Sequence, residues 1–317
     1  INRFLVTYDD QETGGGGIPV IVIPDPDPQP DPQPEPPPGT PMPPATPPYT
    51  PWSERDPMYV VFPGEDAVYY DAAPELVPVL PIPVSPVHHA FMIGFQEDGT
   101  IRPQANITRA ETATIFFRLT TDAHRANIWS QTNSFSDVES GRWFNNPVST
   151  MQNGGLFNGM PLGDTFAPNQ AATRAEFAAM VVNYLGLGHY RVTDGHAFTD
   201  IDGHWASNAI NVAYMQGWVN GFGDGTFRPD QLITRAEVAA LINRALGRRP
   251  ETEDDLLPGM ITWPDNSNRN AWFFLYIQEA TNSNYFEMKE DGVHKTWTGL
   301  FEPRNWRALE RPYSTPW

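Results

Sequence analysis

The sequence predicts an all-α repeat module of helix–loop–helix units preceded by a proline-rich disordered linker. Three observations predict this fold class. A segment recurs three times: its central arginines, Arg109, Arg174 and Arg235, stand 65 and 61 residues apart, and Trp143 precedes Trp205 by 62. Such a fixed period marks a repeat architecture. Each copy ends in Thr-Arg-Ala-Glu ahead of an apolar run, a capping box at a helix start. Upstream, 15 of the 28 residues from Pro24 to Pro51 are proline, which fixes φ and removes backbone donors.

Taken in order, residues 1–13 read as the end of a truncated upstream β domain, with Phe4, Val6 and Tyr8 alternating against Arg3, Leu5 and Thr7. The chain starts at Ile1 and reads as the C-terminal piece of something longer. Residues 14–87 form a Pro/Gly-rich acidic linker. In polyproline II geometry, its proline-dense core would reach about 90 Å at ~3.1 Å per residue.

Beyond residue 88 come unit 1 (88–130, second half only), unit 2 (131–190), unit 3 (191–250) and a C-terminal half-unit (251–317). In unit 3 the apolar positions Ala206, Ala209, Ile210, Ala213 and Tyr214 recur at helical spacing, with Asp200 or Asp202 as candidate caps. Gly217 and Gly221 stop that helix, a loop with an Asp224-Gly225 turn follows, and the Thr234/Glu237 box opens the second helix. The box recurs at Thr108/Glu111 and Thr173/Glu176. Unit 1 lacks a first helix. The stretch around Trp263-Pro264-Asp265 and Trp272 looks like an orphan first half, expected to dock on unit 1 and close a set of three.

Composition narrows the function classes. The 317 residues carry a net charge of -18. By region, residues 1–87 hold 13 acids and 2 bases, residues 88–249 hold 14 and 12, and residues 250–317 hold 11 and 6. An acidic chain without a basic stripe argues against nucleic-acid binding. No apolar run reaches the roughly 20 residues of a membrane span. Cysteine is absent, which removes thiol chemistry. The histidines show no metal-ligand periodicity, no Ser/His/Asp pattern appears, and neither a cofactor, a metal nor an enzymatic activity is expected. The Asp-Gly turns lack the acids of a calcium loop.

Arg109, Arg174 and Arg235 each sit at the first helical position, where the dipole disfavours a cation. Each therefore calls for a partner: an anionic ligand held bidentately, or an acid of the fold, Asp137, Asp200 or Asp265. Trp143 and Trp205, with Trp272 as a third, either stack on sugar rings or anchor the core. Gly94, Gly159 and Gly221 either bring backbone N–H groups near a ligand or end helices.

The string Phe-Thr-Asp, His-Trp-Ala, Gly-Trp-Val-Asn-Gly, Asp-Gly-Thr-Phe-Arg-Pro and Ile-Thr-Arg-Ala-Glu across residues 198–237 resembles the S-layer homology repeat. The resemblance extends over 88–249. It implies a three-lobed, pseudo-threefold helical bundle whose inter-lobe grooves bind secondary cell-wall polysaccharide linked to peptidoglycan, often pyruvylated. It also implies glycan-binding roles for Arg109, Arg174, Arg235, Asp137, Asp200, Asp265, Trp143, Trp205, Gly94, Gly159 and Gly221. The implied setting is extracellular, at the cell wall. Unit 2 departs from the pattern, with Gly141-Arg142-Trp143-Phe144 in place of His-Trp-Ala, Ala172 opening its box, and Met160 to Thr165 lacking the Asp-Gly turn. Unit 3 is the most complete, which points to the groove containing Arg235. The alternative function is a self-assembly module packing against neighbouring surface-layer proteins.

Overall fold

The computed structural model describes residues 87–192 and 196–310; the strand expected over 1–13, the linker up to residue 86 and residues 311–317 lie outside the described residues. In chain order the elements are β1 (Val87–His88), α1 (Arg109–Leu119), α2 (Asp122–Ile128), α3 (Asn145–Asn153), α4 (Arg174–Tyr184), α5 (Ser207–Met215), α6 (Arg235–Ala245), α7 (Phe274–Thr281), β2 (Asn284–Met288), β3 (Lys295–Leu300) and α8 (Trp306–Glu310). Among the described residues the regular structure is mainly helical, as expected.

All three capping boxes form. Thr108, Thr173 and Thr234 accept from the N–H of Glu111, Glu176 and Glu237, and each Glu reaches back to the cap N–H. A cap of this kind contributes about 1 kcal/mol. The remaining N–H groups at each helix start do not face solvent. Arg109 and Ala110 donate to Gln170 and Pro168 O, Arg174 and Ala175 to Gln231 and Pro229 O, and Arg235 and Ala236 to Ala105 and Pro103 O. Each helix start is therefore satisfied by the loop of the next lobe.

The residues just before the boxes close a ring. Ala172 N–H donates to Ile107 O at 2.9 Å, Ile233 N–H to Ala172 O at 3.0 Å, and Ile107 N–H to Ile233 O at 3.2 Å. Each member donates once and accepts once, which defines a pseudo-threefold axis. Around it α1 packs on α3, α4 on α5 and α6 on α7. The second helix of one copy thus pairs with the first helix of the next, and α7 fills that role for α6. A continuous core runs through the lobes, with Phe116, Phe177, Ile210 and Val238 fully buried. The rings of Phe116 and Phe177 meet at 5.5 Å.

Two details differ from the sequence expectations. Neither Asp200 nor Asp202 caps α5, whose N-cap is Ala206 without a side-chain bond; Asp200 is engaged elsewhere. The helical lobes also carry a small antiparallel sheet, β1-β2-β3, in which Val87 pairs with Tyr285 and His88 with Asn284. This sheet ties the first described residues to the C-terminal segment.

Candidate functional site

The three arginines occupy equivalent positions at the lobe junctions and are buried there. Arg235 Nε donates to Ile101 O at 2.8 Å, Nη2 to Ile93 O at 2.9 Å, and Nη1 to Glu111 Oε1 at 3.3 Å. Arg174 repeats the pattern on Phe227 O at 2.9 Å, Asn220 O at 3.5 Å and Glu237 Oε1 at 2.7 Å. Arg109 faces Glu176 Oε1 at 3.6 Å. Its Nε and Nη2 are buried without a partner, and the Asn158 carbonyl, the counterpart of Asn220 O and Ile93 O, accepts from Asn183.

Each capping-box Glu therefore acts twice, capping its own helix and holding the arginine of the preceding copy. Burial lowers the pKa of all three guanidinium groups, and the facing Glu raises it again. Arginine stays charged under this balance. The expectation of Asp137, Asp200 or Asp265 as the acid partner is corrected: the pairing acids are glutamates, because the aspartates are engaged on backbone.

Asp137 accepts from Phe166 and Ala167 N–H, both at 2.7 Å; Asp200 accepts from Phe227 and Arg228 at 2.8 and 2.7 Å; Asp265 accepts from Ile101 and Arg102 at 3.0 and 2.7 Å. The second residue of each pair sits in the left-handed region: Arg102 at φ 50, Ala167 at φ 52 and Arg228 at φ 57. For a non-glycine residue, that conformation costs about 1–2 kcal/mol. The carboxylate's two charge-assisted bonds offset the cost and fix the turn leading into the proline. Asp265 plays this role across the sequence, on the loop of the first copy.

The glycines divide by role. A Cβ on Gly94 would lie 2.1 Å from the Trp263 ring, and one on Gly221 would lie 2.3 Å from the Phe198 ring, so both are close-approach positions. Gly159 has open space around it and is required for its φ of +74.

The tryptophans stand outside the core. Trp143, Trp205 and Trp272 are 50%, 39% and 58% exposed, while the following Phe144, Ala206 and Phe273 are buried. The core-anchor reading of these tryptophans is thereby corrected; the next residue holds that position. At the Arg235 junction, a groove is lined by Trp143, Gly94, Phe95, Glu111, Thr114 and Arg118, with Arg235 at its base. An exposed indole, a buried cation and a hydroxyl face one opening, a combination suited to an anionic sugar.

The S-layer homology domain family matches residues 92–113, 134–178 and 197–239, one match on each copy. Residues 92–239 are S-layer homology repeats. The chain is 34% identical over 213 residues to a protein named cell surface glycoprotein 1 of Acetivibrio thermocellus, covering 64% of this chain and 9% of that protein. It is 34% identical over 208 residues to a cellulosome-anchoring protein of the same organism, covering 65% and 45%. An amylopullulanase of Thermoanaerobacterium thermosulfurigenes shares 34% identity over 152 residues, 46% of this chain and 8% of that enzyme. The chain thus spans less than half the length of these relatives.

Within the repeats, the Asp-Gly turns are closed by their own side chains. Asp98 accepts from Thr100 and Arg102, and Asp224 from Thr226 and Arg228, holding both carboxyls down at about 2. Among the described residues, Glu251, Asp291 and His294 bring candidate metal-ligand atoms within 4.8 Å of one another. Their polar atoms are engaged already: Glu251 by Lys289, and His294 by Asp291 and Arg249. Sequence reasoning missed the second role of Glu111, Glu176 and Glu237 and the groove residues Thr114 and Arg118. The recurring Glu was a visible signal for the former, whereas Thr114 and Arg118 have no counterpart repeated in every copy. No described helix is long and apolar enough to cross a membrane.

Proposed function

We propose that the module holds its parent protein non-covalently on the bacterial cell surface by binding peptidoglycan-linked secondary cell-wall polysaccharide, pyruvylated and hence anionic, in the grooves between lobes. The observation that carries this reading is the Arg235 groove, where half-exposed Trp143 faces a buried arginine. A pyruvate carboxylate would compete with Glu111 for Arg235 while the sugar ring covers the indole. Gly94 lets the Trp263 ring pack directly on the backbone beside the groove, since any Cβ there would meet that ring. The family membership of residues 92–239 and the relatives named for the cell surface and for anchoring support the same reading.

The same proposal assigns residues 251–310 to the anchor and treats the linker as a spacer. Asp265 on the first copy's loop and the β1–β2 pairing support that assignment. The module itself is not an enzyme in this reading; its candidate residues hold and do not transform.

The test is retention of the chain on isolated wall sacculi that carry the polymer. Trp143→Ala is expected to reduce retention at least tenfold without changing the fold. Retention equal to wild type would sink the groove assignment and favour self-assembly, which analytical ultracentrifugation of the free chain would then register.

A further inference from the structure

Where α1, α4 and α6 end, at the pole opposite the capping boxes, they surround a second cavity of about 210 Å³, roofed by His88, His89, Arg304 and Trp306. We infer that this axial cavity is a binding site for a small hydroxylated oxyanion, a sugar acid or hydrogen phosphate, with Arg248 as its cationic anchor. The inference is separate from the groove reading and uses none of its residues except Arg118, which stands on the wall of both openings.

The cations at this pole differ in whether they have acidic partners. Arg118 is paired with Glu310 through Nε at 2.6 Å and Nη2 at 3.0 Å. Arg304 is paired with Asp122 at 2.6 Å. Arg125, behind the wall, binds the carbonyls of Phe117 and Thr120 at the end of α1 and also Asp122. Asp122 is thus shared by two arginines. Arg248 differs from all of these. Its backbone closes the end of α6, donating to Asn243 O at 2.8 Å, but its guanidinium makes no hydrogen bond or ion pair among the described residues, and its Nε is buried without a partner. Glu279, the acid whose charge acts on it, is already held by Lys295 and by Trp297 Nε1. One half-buried cation is left lining the cavity, resting over the Phe286 ring at 5.4 Å but with no hydrogen-bonded acid of its own, and an anion entering there would gain a partner at little desolvation cost to the protein.

The other polar atoms specify the ligand further. Nδ1 of His88 and of His89 are buried without a partner, and the buried Tyr184 hydroxyl, beside that of Thr120, lines the same cavity. Burial holds both imidazoles below their ordinary pKa, which keeps them neutral at pH 7. His88 Nε2 lies 2.9 Å from Glu279 O and donates to it, which leaves Nδ1 as an acceptor. A simple halide would satisfy Arg248 but not these acceptors. A ligand with both an anionic oxygen and an O–H would accept from Arg248 and Tyr184 and donate to imidazole nitrogen. The cavity has room for one such molecule and not for a polymer segment.

The test is titration of the full chain with inorganic phosphate and, separately, with glucuronate at pH 7 and fixed ionic strength, followed by calorimetry and by thermal unfolding. At least one probe is expected to bind with one-to-one stoichiometry and to raise the melting temperature. Arg248→Gln should weaken binding at least tenfold and abolish the thermal shift, while Trp143→Ala in the groove should leave both unchanged. Arg248→Gln should itself fold, because the guanidinium it removes makes no hydrogen bond or ion pair among the described residues and only rests over the Phe286 ring; its circular dichroism spectrum checks this. The inference is overturned if neither probe binds below about 10 mM, if Arg248→Gln binds like wild type, or if Trp143→Ala is the substitution that removes binding.

Discussion

Replacing each junction arginine by alanine, one at a time, should give three different stability losses, although the three residues occupy the same sequence motif. In Arg174→Ala the protein loses the 2.7 Å bond to Glu237 and the bond to Phe227 O. Removing one partner of a fully buried pair costs about 3–5 kcal/mol. Glu237 is 23% exposed and keeps its capping-box bonds to Thr234, so its charge is not stranded and about 2–3 kcal/mol is the reasoned loss. Arg235→Ala falls in the same range, with two backbone carbonyls left unpaired. Arg109→Ala removes only a 3.6 Å contact and relieves two orphaned donors, so about 1 kcal/mol or less is expected, mostly lost packing. Urea unfolding followed by circular dichroism reads these differences. With a sensitivity of about 2–4 °C per kcal/mol at this size, Arg174→Ala and Arg235→Ala should melt several degrees below Arg109→Ala. Three equal losses would refute the junction analysis, since identical chemistry at all three sites would then outweigh the different partners.

Three further outcomes follow from the same geometry. Phe144→Ala should cost about 3–5 kcal/mol as a large-to-small change in the core, whereas Trp143→Ala, at a half-exposed position, should cost under about 1 kcal/mol; paired thermal melts would expose an inverted order. Ending the chain at residue 259 removes Asp265 from Ile101 and Arg102, and β2 from β1. Amide exchange in the loop at 93–103 should then accelerate far more than in α4, and equal protection would break the link between the C-terminal segment and the first copy. Burial raises the Asp255 pKa, but Lys289, the Thr296 hydroxyl and the N–H groups of Thr252 and Glu251 outweigh it and hold the group at about 2. A carboxyl lowered on folding stabilises above its unfolded pKa and loses that contribution as pH falls. Between pH 4 and 2 the wild type should lose about 1–2 kcal/mol more than Asp255→Asn, measured by denaturant midpoints at each pH.

Much of the fold was legible because its signals are local and repeated. The Thr-x-x-Glu boxes specify where α1, α4 and α6 begin, and the helical spacing of Ile210 and Ala213 specifies the buried face of α5. The site was only partly legible. The tryptophans could be placed on either side of the surface, because an aromatic at a helix start serves equally well in both settings; the buried Phe144, Ala206 and Phe273 one residue on decide the matter. The partners of the arginines were misassigned because the pairing Glu belongs to the next copy, 63 residues away for Arg174 and 124 for Arg235, and spacing alone does not reveal which lobe is the neighbour. The non-equivalence of Arg109, with its 3.6 Å contact to Glu176 and two unpartnered nitrogens, is a side-chain detail that no motif carries. The small sheet had a signal, the alternation of Asn284 to Met288 and the Asp291-Gly292 turn, but it was outweighed by the helical character of the repeats.

The most direct test of wall anchoring by the grooves is co-sedimentation of the chain with sacculi that carry the secondary polysaccharide and with sacculi stripped of it, at equal peptidoglycan mass. The chain should sediment with the first and remain in solution with the second, and Trp143→Ala should remain in solution with both. Equal sedimentation on stripped sacculi, or full sedimentation of Trp143→Ala, would contradict the account.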